Sequence, residues 1–358
     1  ARIEKGGVQN VNDGGYTYGG TISEGGRQNV AAGGVTDFTF VDGGLQVVDG
    51  TSIVSIVKNG GRQVVNKNAN AEVSIVTDGG IQEVFGTTTG SEITRAEQRI
   101  YSGGSAISTV LNDNAVQGIY DGAVVTDTRN RHGIQNIYNG GRAENNLMDN
   151  FAVQNIAAGG TAVNTSLGND SQQNVRGSAV DTDLSANSVQ NVYRGGTATR
   201  TTLYERGTQN IYSGGSSDFA VINVGGIQNV LTGGTASNTT INGGGTQNVN
   251  SGGTVISTII REGGIQNVND GAIVIDNKVV GDQVVNQGGT VASSTVSENG
   301  AQSVTFGGKA IATTVSKGGA QFVRAGGVAD LTAIERGGML ALEDGATVTN
   351  INLNSGAA

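Results

Sequence analysis

The side chains that most often carry enzyme or metal chemistry are scarce in this chain of 358 residues. Cysteine is absent, which excludes thiolate metal sites and disulfides, and His132 is the only histidine. Catalysis of the Ser/His/Asp type would have to use His132, which lies in the polar segment 129–133. A contact with an anion or a sugar acid is one interpretation of His132, and a solvated loop position is the favoured one. We therefore predict no catalytic residue, no metal site and no cofactor.

Paired carboxylates are a second possible source of chemistry, because enzymes that cleave polysaccharides use two acidic side chains beside the scissile bond. Asp181 and Asp183 lie two residues apart and are expected to share a strand face. No second acidic pair recurs one repeat away beside a base. We predict that the chain is not an enzyme, and a carbohydrate-active enzyme stays open as the alternative from another class.

Composition excludes several classes of protein. The net charge is −9, which weighs against nucleic acid and against anionic membrane surfaces as partners. No apolar run is long enough to span a bilayer. The chain has 61 glycines and no proline, only 14% of its residues are charged, and Val, Ile and Thr recur regularly. A disordered chain is typically richer in charge and poorer in β-branched residues, so a core built from short repeated segments is the better interpretation.

A glutamine recurs along almost the whole chain, at a spacing of mostly 19 or 18 residues and in a few places 17 or 16. Met339–Leu342 is a degenerate final copy of the repeat. Because no linker interrupts the pattern, we predict one domain over residues 1–358, a fragment without a signal peptide or a C-terminal translocator barrel. The recurring glutamines are Gln9, Gln28, Gln46, Gln63, Gln82, Gln98, Gln117, Gln135, Gln154, Gln173, Gln190, Gln209, Gln228, Gln247, Gln266, Gln283, Gln302 and Gln321.

The sequence pattern of each repeat predicts three short extended segments joined at three corners. An aliphatic residue lies two positions after each glutamine, as Val230 does, and further apolar series pass through Ala236 and Ile241. Gly-Gly pairs mark two corners, and the polar Ser237-Asn238 stretch marks the third. One repeat cannot bury a core, but stacked repeats can. The pattern predicts an all-β fold, a three-stranded parallel β-helix with about 19 residues per turn, whose glutamines stack and exchange amide hydrogen bonds.

Three shortened repeats are expected to be locally irregular. They span 85–98, 127–135 and 270–283, and each has lost a glycine pair or an inward aliphatic residue. We expect bulges, loops or a bend of the coil at these places. The residues expected at the inward position there are Glu92, Arg129 and Asn277.

Two columns of neutral polar residues are expected to point outward, because side chains alternate across a strand. One column lies directly before the aliphatic series that passes through Ile241. It consists of Thr21, Thr39, Thr128, Ser166, Thr202, Thr240, Thr295 and Thr314. Solubility alone would accept Lys, Glu or Asp, whereas these columns keep neutral donors and acceptors in register. Single hydrogen bonds of about 0.5–1.5 kcal/mol would add up between two such faces. The predicted self-association surface is the column directly after the glutamines, namely Asn136, Asn155, Asn174, Asn191, Asn210, Asn229, Asn248 and Asn267.

The repeat resembles the passenger repeats of self-associating autotransporters, the family of the AIDA, TibA and antigen 43 adhesins. Segments such as GGTASNTTI at 233–241 and GGGTQNV at 243–249 carry the similarity, which covers nearly the whole chain. The resemblance implies a right-handed three-stranded β-helix at the cell surface of Gram-negative bacteria. It also implies secretion through an outer-membrane barrel, so that this chain would be a passenger fragment.

The resemblance implies a function as well: cell–cell aggregation, biofilm formation and, in some members, attachment to host cells. The implied partners are another copy of the chain on a neighbouring cell, a host-cell receptor, and a heptosyltransferase that modifies serine and threonine. Three hypotheses stay open, namely a self-associating adhesin, a glycosylated adhesin for a host receptor, and a carbohydrate-active enzyme. The candidate O-glycosylation sites under this resemblance are Ser166, Thr202, Thr240, Thr295 and Thr314.

Overall fold

The computed structural model describes residues 1–354 and residue 356, and this part of the chain consists of β-strands, turns and bends without a helix. Its residues form two compact units, Ala1–Val180 and Asp181–Ala358. Within each unit the strands pair in parallel with equivalent strands of adjacent repeats, as Gln228 does with Gln209 and Gln247. The predicted all-β parallel β-helix is confirmed, with these partners 19 residues apart. Across the described residues, no helix is long and apolar enough to cross a membrane.

One repeat of the second unit shows how a turn is built. Ile227–Val230 forms the glutamine face, Thr235–Ser237 the alanine face and Thr240–Ile241 the threonine face. Burial alternates along each strand, so Gln228 and Val230 point inward and the residues beside them point outward. In several repeats, one longer strand covers both the alanine and the threonine face and bends at the corner between them.

Strands of four residues build the glutamine face. In the first unit they are Val8–Val11, Arg27–Val30, Leu45–Val48, Arg62–Val65, Ile81–Val84, Glu97–Ile100, Val116–Ile119, Ile134–Ile137, Val153–Ile156 and Gln172–Val175. In the second unit they are Val189–Val192, Thr208–Ile211, Ile227–Val230, Thr246–Val249, Ile265–Val268, Asp282–Val285, Ala301–Val304, Ala320–Val323 and Met339–Leu342. The final copy keeps the register, because Leu340 pairs with Gln321.

The other two faces are built from shorter strands or from strands that span both. The alanine face contains Thr87–Thr89, Ser105–Ile107, Val124–Thr126, Ser216–Asp218, Thr235–Ser237, Thr254–Ile256, Ile273–Ile275, Thr290–Ala292, Lys309–Ile311, Val328–Asp330 and Thr347–Thr349. The threonine face contains Arg2–Ile3, Glu92–Thr94, Val110–Asn112, Arg129–Arg131, Val221–Ile222, Thr240–Ile241, Ile259–Ile260, Lys278–Val279, Thr295–Val296, Thr314–Val315, Ala333–Ile334 and Asn352–Leu353. The strands that span both are Tyr16–Ile22, Val35–Asp42, Thr51–Lys58, Asn70–Thr77, Arg142–Asp149, Thr161–Leu167, Ser178–Leu184 and Thr197–Leu203.

The predicted apolar series lie in the interior. In the second unit, Val230 packs in one cluster with Ile211 and Val249, and all three side chains are fully buried. The small side chain of Ala236, on the alanine face, belongs to the same cluster. Burial of a Val or Ile side chain contributes about 1.5–3 kcal/mol, so each added repeat extends the core by a similar amount.

The two glycines of a Gly-Gly corner are required for different reasons. Gly233 has a φ of 70°, in the left-handed region that glycine adopts without strain. Gly234 has no room for a side chain, because a Cβ atom there would lie 2.4 Å from the carbonyl oxygen of Ile211 in the preceding repeat. The predicted third corner is confirmed at Asn238, whose φ is 51°.

A shortened repeat is accommodated at its corner, and its strand pairing continues. Gln98 pairs with Gln82 although only 16 residues separate them. A single glycine, Gly86, replaces the usual pair, and the N–H groups of Phe85 and Gly86 both donate to the carbonyl of Val65, over 2.8 and 3.1 Å. The expected local irregularity lies at the corners of this repeat, with two residues lost at Gly86 and one before Gln98, while the pairing of the glutamine strands continues without a bulge.

The three assignments to the inward aliphatic position in the shortened repeats are wrong. Glu92 and Arg129 are exposed, and their neighbours Ile93 and Asn130 are buried instead. The register of the parallel pairing decides this, since it aligns both buried residues with the inward residues of adjacent repeats. Asn277 is buried, at 2% exposure, but it lies two residues before the aliphatic position, which Val279 takes in register with Ile260.

Replacing Val230 with Asp should destabilise the second unit. A carboxylate at this fully buried position would have no partner, and the expected loss is about 3–5 kcal/mol. Thermal unfolding followed by circular dichroism measures it. Thr235→Asp, at an outward and half-exposed position of the same repeat, is the matched control and should leave the midpoint nearly unchanged. A Val230→Asp protein that melts like the wild type would contradict the register described above.

Candidate functional site

The recurring glutamines form a buried amide ladder inside each unit. In the second unit, Nε2 of Gln228 donates to Oε1 of Gln209 over 2.7 Å, and Nε2 of Gln247 donates to Oε1 of Gln228 over 2.6 Å. The first unit has equivalent bonds, such as the one from Gln63 to Gln46 over 2.9 Å. These side chains are fully buried. The structural role predicted for the glutamine column is confirmed.

A second polar column, missed in the sequence, faces the glutamines across the interior. In most repeats a buried hydroxyl donates to the glutamine carbonyl, as Thr313 does to Oε1 of Gln302, 11 residues earlier, over 3.1 Å. The buried hydroxyls of Thr165, Thr258 and Ser294 have no hydrogen-bond partner. Where Ala220 occupies this position, the buried Ser217 donates to Gln209 over 3.0 Å instead. Where the next glutamine of the ladder and a buried hydroxyl both donate to one glutamine carbonyl, that carbonyl accepts two hydrogen bonds. A polar group buried in the core is then satisfied. The signal for this column was the hydroxyl residue that directly precedes five of the predicted outward residues, namely Ser166, Thr202, Thr240, Thr295 and Thr314.

The asparagines after the glutamines form another amide ladder, on the outer surface of the glutamine face. In the second unit each Nδ2 donates to the Oδ1 one repeat earlier, and the donors are Asn210, Asn229, Asn248 and Asn267, over 3.1, 2.9, 3.0 and 3.0 Å. These four side chains are half-buried. Asn191 is buried at 5% exposure, which corrects the expectation that it is an open surface residue. The column faces outward as predicted, and its members are bonded to one another.

In the first unit the asparagine ladder has two separate runs. Asn155 donates to Asn136, and Asn174 donates to Asn155, each over 2.9 Å. Near the beginning of the chain, Asn29 donates to Asn10 over 2.8 Å. The outer surface of the glutamine face therefore presents neutral amides in two places rather than throughout this unit.

Charged side chains occupy the same column between those two runs. Glu83 is 6% exposed and forms an ion pair with Arg62. Arg99 follows Glu83 in the column and donates to Glu97 over 2.5 Å, a bond that raises the pKa of the Arg99 guanidinium. A local charge network thus replaces the neutral ladder in this part of the first unit.

The hydrogen bonds within the ladder leave some amide donors and acceptors free to bond with solvent or a partner. A primary amide has two N–H donors and a carbonyl oxygen with two acceptor positions. An asparagine within the ladder uses one donor and one acceptor for its neighbours, so one of each remains. Because the neighbours already hold the amide in place, binding through the remaining groups would immobilise few further rotamers. A partner with the same repeat could engage many such groups at once.

The candidate glycosylation residues lie on the outer surface of the threonine face, each directly after a buried hydroxyl residue. Thr239 is fully buried, for example, whereas Thr240 is half-exposed. The assignment of Thr39 and Thr128 to the outward column is wrong, because they belong to the inward hydroxyl column and are 2% and 1% exposed. In the first of these repeats the outward residue is Phe40. Ser166 and Thr295 are exposed, and Thr202, Thr240 and Thr314 are half-exposed.

The sequence candidates for catalysis lie at surface positions. His132 is exposed in a shallow depression of about 470 Å³, with its ring centroid 6.1 Å from that of Phe151. Asp181 accepts hydrogen bonds from Nε and Nη2 of Arg200 over 2.6 and 2.8 Å, and these bonds lower the pKa of its carboxyl. A carboxylate held ionised in this way is poorly suited to act as a general acid. No cluster of three or more potential metal ligands occurs among the described residues.

An aromatic stack on the first unit was also missed. Phe85, Tyr101, Tyr120 and Tyr138 follow successive glutamine strands, and adjacent ring centroids are 4.8, 5.0 and 4.7 Å apart. Tyr120 lies over Gly118, where a Cβ atom would come within 3.1 Å of its ring. Burial, and then the neighbouring Tyr138 and Tyr101, raise the pKa of the Tyr120 hydroxyl. Their shared position three residues after a glutamine is the sequence signal that could have revealed the stack.

Solved structures similar to this chain include one passenger fragment. The TibC-catalysed, hyper-glycosylated TibA fragment is 28% identical, with a TM-score of 0.52, over 86% of this chain and 96% of that one. The PL6-family alginate lyase AlyGC aligns with 98% of this chain and 85% of its own, at 8% identity and a TM-score of 0.18, too low to support any functional argument. No protein-family model and no curated protein matches the chain. The TibA match confirms the resemblance to autotransporter passenger domains.

Replacing Gln228 with Leu should destabilise the second unit more than the same change at Gln321. Gln228 bonds to glutamines on both sides, whereas on one side the neighbour of Gln321 is Leu340. Loss of an internal amide leaves buried partners unpaired in two adjacent repeats, at about 1–3 kcal/mol each. Urea unfolding of the two variants measures the difference. Equal losses would show that the bonds between repeats do not govern stability.

Proposed function

We propose that this β-helix is the passenger part of a bacterial surface adhesin that associates with further copies of itself and does not catalyse a reaction. The observation that carries this proposal is the asparagine ladder of the second unit. Its neutral amides lie in register on one outer face, each held by its neighbours. Asn210, Asn229 and Asn248, which are half-buried and bonded on both sides, each retain one donor and one acceptor for a partner.

A second copy of the chain is the partner that matches this surface best. Two copies have the same distance between successive amides, so a pair that meets in register brings the following pairs into register as well. Each hydrogen bond contributes only about 0.5–1.5 kcal/mol. The strength of such an association depends on the number of bonds made together rather than on any one of them.

We further propose that the protein is located at the cell surface after secretion by the autotransporter pathway, where it mediates autoaggregation and biofilm formation. The resemblance to passenger domains supports this location, and copies on neighbouring cells would then meet. A host-cell receptor is an additional partner that the same resemblance suggests.

We also propose that a heptosyltransferase modifies hydroxyls of the threonine face. The TibA fragment that this chain resembles was hyper-glycosylated by TibC, and outward Ser and Thr residues recur on this face. The threonine face and the glutamine face are different sides of each turn. Sugars on the threonine face would therefore leave the asparagine ladder uncovered, so both properties are compatible within one molecule.

Simultaneous replacement of Asn191, Asn210, Asn229 and Asn248 with Ala should weaken self-association far more than any single replacement. The half-buried Asn210, Asn229 and Asn248 each lose a contact of about 0.5–1.5 kcal/mol. Replacement of the buried Asn191 removes the amide that holds Asn210. Sedimentation velocity over a range of protein concentrations measures the change. Because these amides also bond to one another, we expect the fourfold variant to melt at a somewhat lower temperature while it remains folded.

A matched control separates the effect on stability from the effect on association. Nδ2 of Asn242 donates to Oδ1 of Asn223 over 2.7 Å in a corner ladder outside the glutamine face. Asn223→Ala combined with Asn242→Ala should lower stability and leave association intact. Moderate salt should also leave it intact, since neutral hydrogen bonds are screened little. A fourfold variant that associates like the wild type would place the adhesive surface elsewhere, with the threonine column the next candidate.

Glycosylation should follow exposure on the threonine face. When the protein is produced with its transferase, peptide mapping should find sugar on Thr202, Thr240 and Thr314, and little on the buried residue before each of them. The exposed Ser166 and Thr295 should be modified as well. Sugar distributed equally over inward and outward hydroxyls would refute this selectivity and would indicate transfer to the unfolded chain.

A further inference from the structure

Phe219 occupies an unusual position at the corner between the alanine and threonine faces of the second unit. Its φ is 54°, a left-handed conformation that is costly for a bulky residue. Its side chain is nevertheless 53% exposed, so burial in the core does not offset that cost. The same corner is occupied by Arg200 one repeat earlier and by Asn238 one repeat later. Asparagine adopts this conformation more readily, so the backbone does not favour an apolar residue here. Among the described residues of the second unit, Leu331, 54% exposed at a φ of 55°, is the other exposed large apolar residue at this corner, and it has no aromatic ring.

The ring of Phe219 borders a groove that runs along the corner. Two adjoining depressions, of about 340 and 300 Å³, share Phe219, Asn238 and Thr240 in their linings. Lys278 lines the first depression and Arg200 lines the second. The groove thus combines an open aromatic ring with hydroxyl, amide and cationic groups, on a different side of the turn from the asparagine ladder.

Polar groups of the groove are held in fixed positions by their own neighbours. Nδ2 of Asn238 donates to Oδ1 of Asp218 over 2.8 Å, which leaves the Asn238 carbonyl oxygen to accept from a ligand. Two hydrogen bonds to Asp181 orient the guanidinium of Arg200, which has further N–H donors. The half-exposed hydroxyl of Thr240 can both donate and accept.

We propose that this groove binds a glycan from outside the chain, with one pyranose ring stacked on Phe219. The C–H groups of a sugar are attracted to the negative face of an aromatic ring, while its hydroxyls match the donors and acceptors around that ring. Ligand sites commonly combine such an apolar or aromatic surface with a few placed polar groups. The site adds a ligand-binding activity to the proposed adhesin and does not depend on self-association.

Phe38 provides a control within the same fold. It occupies the equivalent corner in the first unit, with a φ of 55°. Its ring already stacks with Tyr18 at 6.1 Å and packs edge-on against Phe40 at 5.7 Å. Phe38 is 43% exposed, but its ring already has aromatic partners. It should therefore not bind a sugar ring, whereas Phe219 should.

The test uses the unglycosylated 358-residue chain, labelled with ring-fluorinated phenylalanine and observed by fluorine NMR. The probes are maltotetraose, cellotetraose, mannotetraose and chitotetraose, and the loss of one signal in Phe219→Asn assigns Phe219. We expect at least one probe to shift the Phe219 signal. Titration calorimetry should show affinity for that probe weakened about tenfold or more in Phe219→Asn, as for loss of a central aromatic anchor. Phe38→Asn should bind like the wild type.

Folding failure does not obscure this test, because asparagine suits the left-handed backbone and Phe219→Asn should melt no lower than the wild type. The proposal is overturned if none of the four probes shifts the Phe219 signal, or if Phe219→Asn binds as tightly as the wild type. It is also overturned if the signal shifts only after the chain itself has been glycosylated. Sedimentation of the same samples reports self-association separately, so failure of one proposal is distinguishable from failure of the other.

Discussion

A buried amide needs hydrogen-bond partners, and this requirement fixes how the turns of each unit stack. Leaving the side-chain amide of Gln228 unpaired in the interior would cost several kcal/mol, whereas its bonds to Gln209 and Gln247 satisfy it. Those bonds form only when successive turns are aligned residue by residue. A slip of one residue would turn the glutamine toward solvent and bring Asn229 inside. The aliphatic columns make the interior favourable, and the glutamine ladder makes the alignment of the turns specific.

Order on the outer surface follows from the same alignment. Because equivalent residues are stacked, an outward asparagine lies above another asparagine, and a tyrosine such as Tyr120 lies between two further tyrosines. The stacked turns hold both arrangements in place without any additional contact. The short hydrogen bonds along the asparagine ladder are therefore a consequence of the core, and a surface that would otherwise be a set of mobile amides becomes a regular one.

The repeat, the three faces and the buried glutamine and aliphatic columns could be predicted from sequence, because a period that places Val230 and its equivalents alike is visible in a single chain. The buried hydroxyl column was missed. Errors arose where the period alone could not locate the inward residue. At Arg129 no aliphatic residue marks that position, since Asn130 occupies it, and at Glu92 the following corner has lost a residue. The surroundings of Phe219 depend on side chains of neighbouring repeats, so no local pattern could reveal them.

Each turn has three faces, so one repeat can carry different functional groups on different faces. Two of the proposed activities, glycosylation and glycan binding, nevertheless use the same place. Thr202 and Thr240, candidate acceptors for sugar, line the same depression as Phe219. A sugar attached to either hydroxyl would fill the space beside the aromatic ring and stack where an external glycan would bind. Modification and glycan binding therefore compete at this corner, while the asparagine ladder, on the glutamine face, is free of that competition. The extent of glycosylation would then set whether the second unit can bind an external glycan, and it would leave the contact with another copy unchanged.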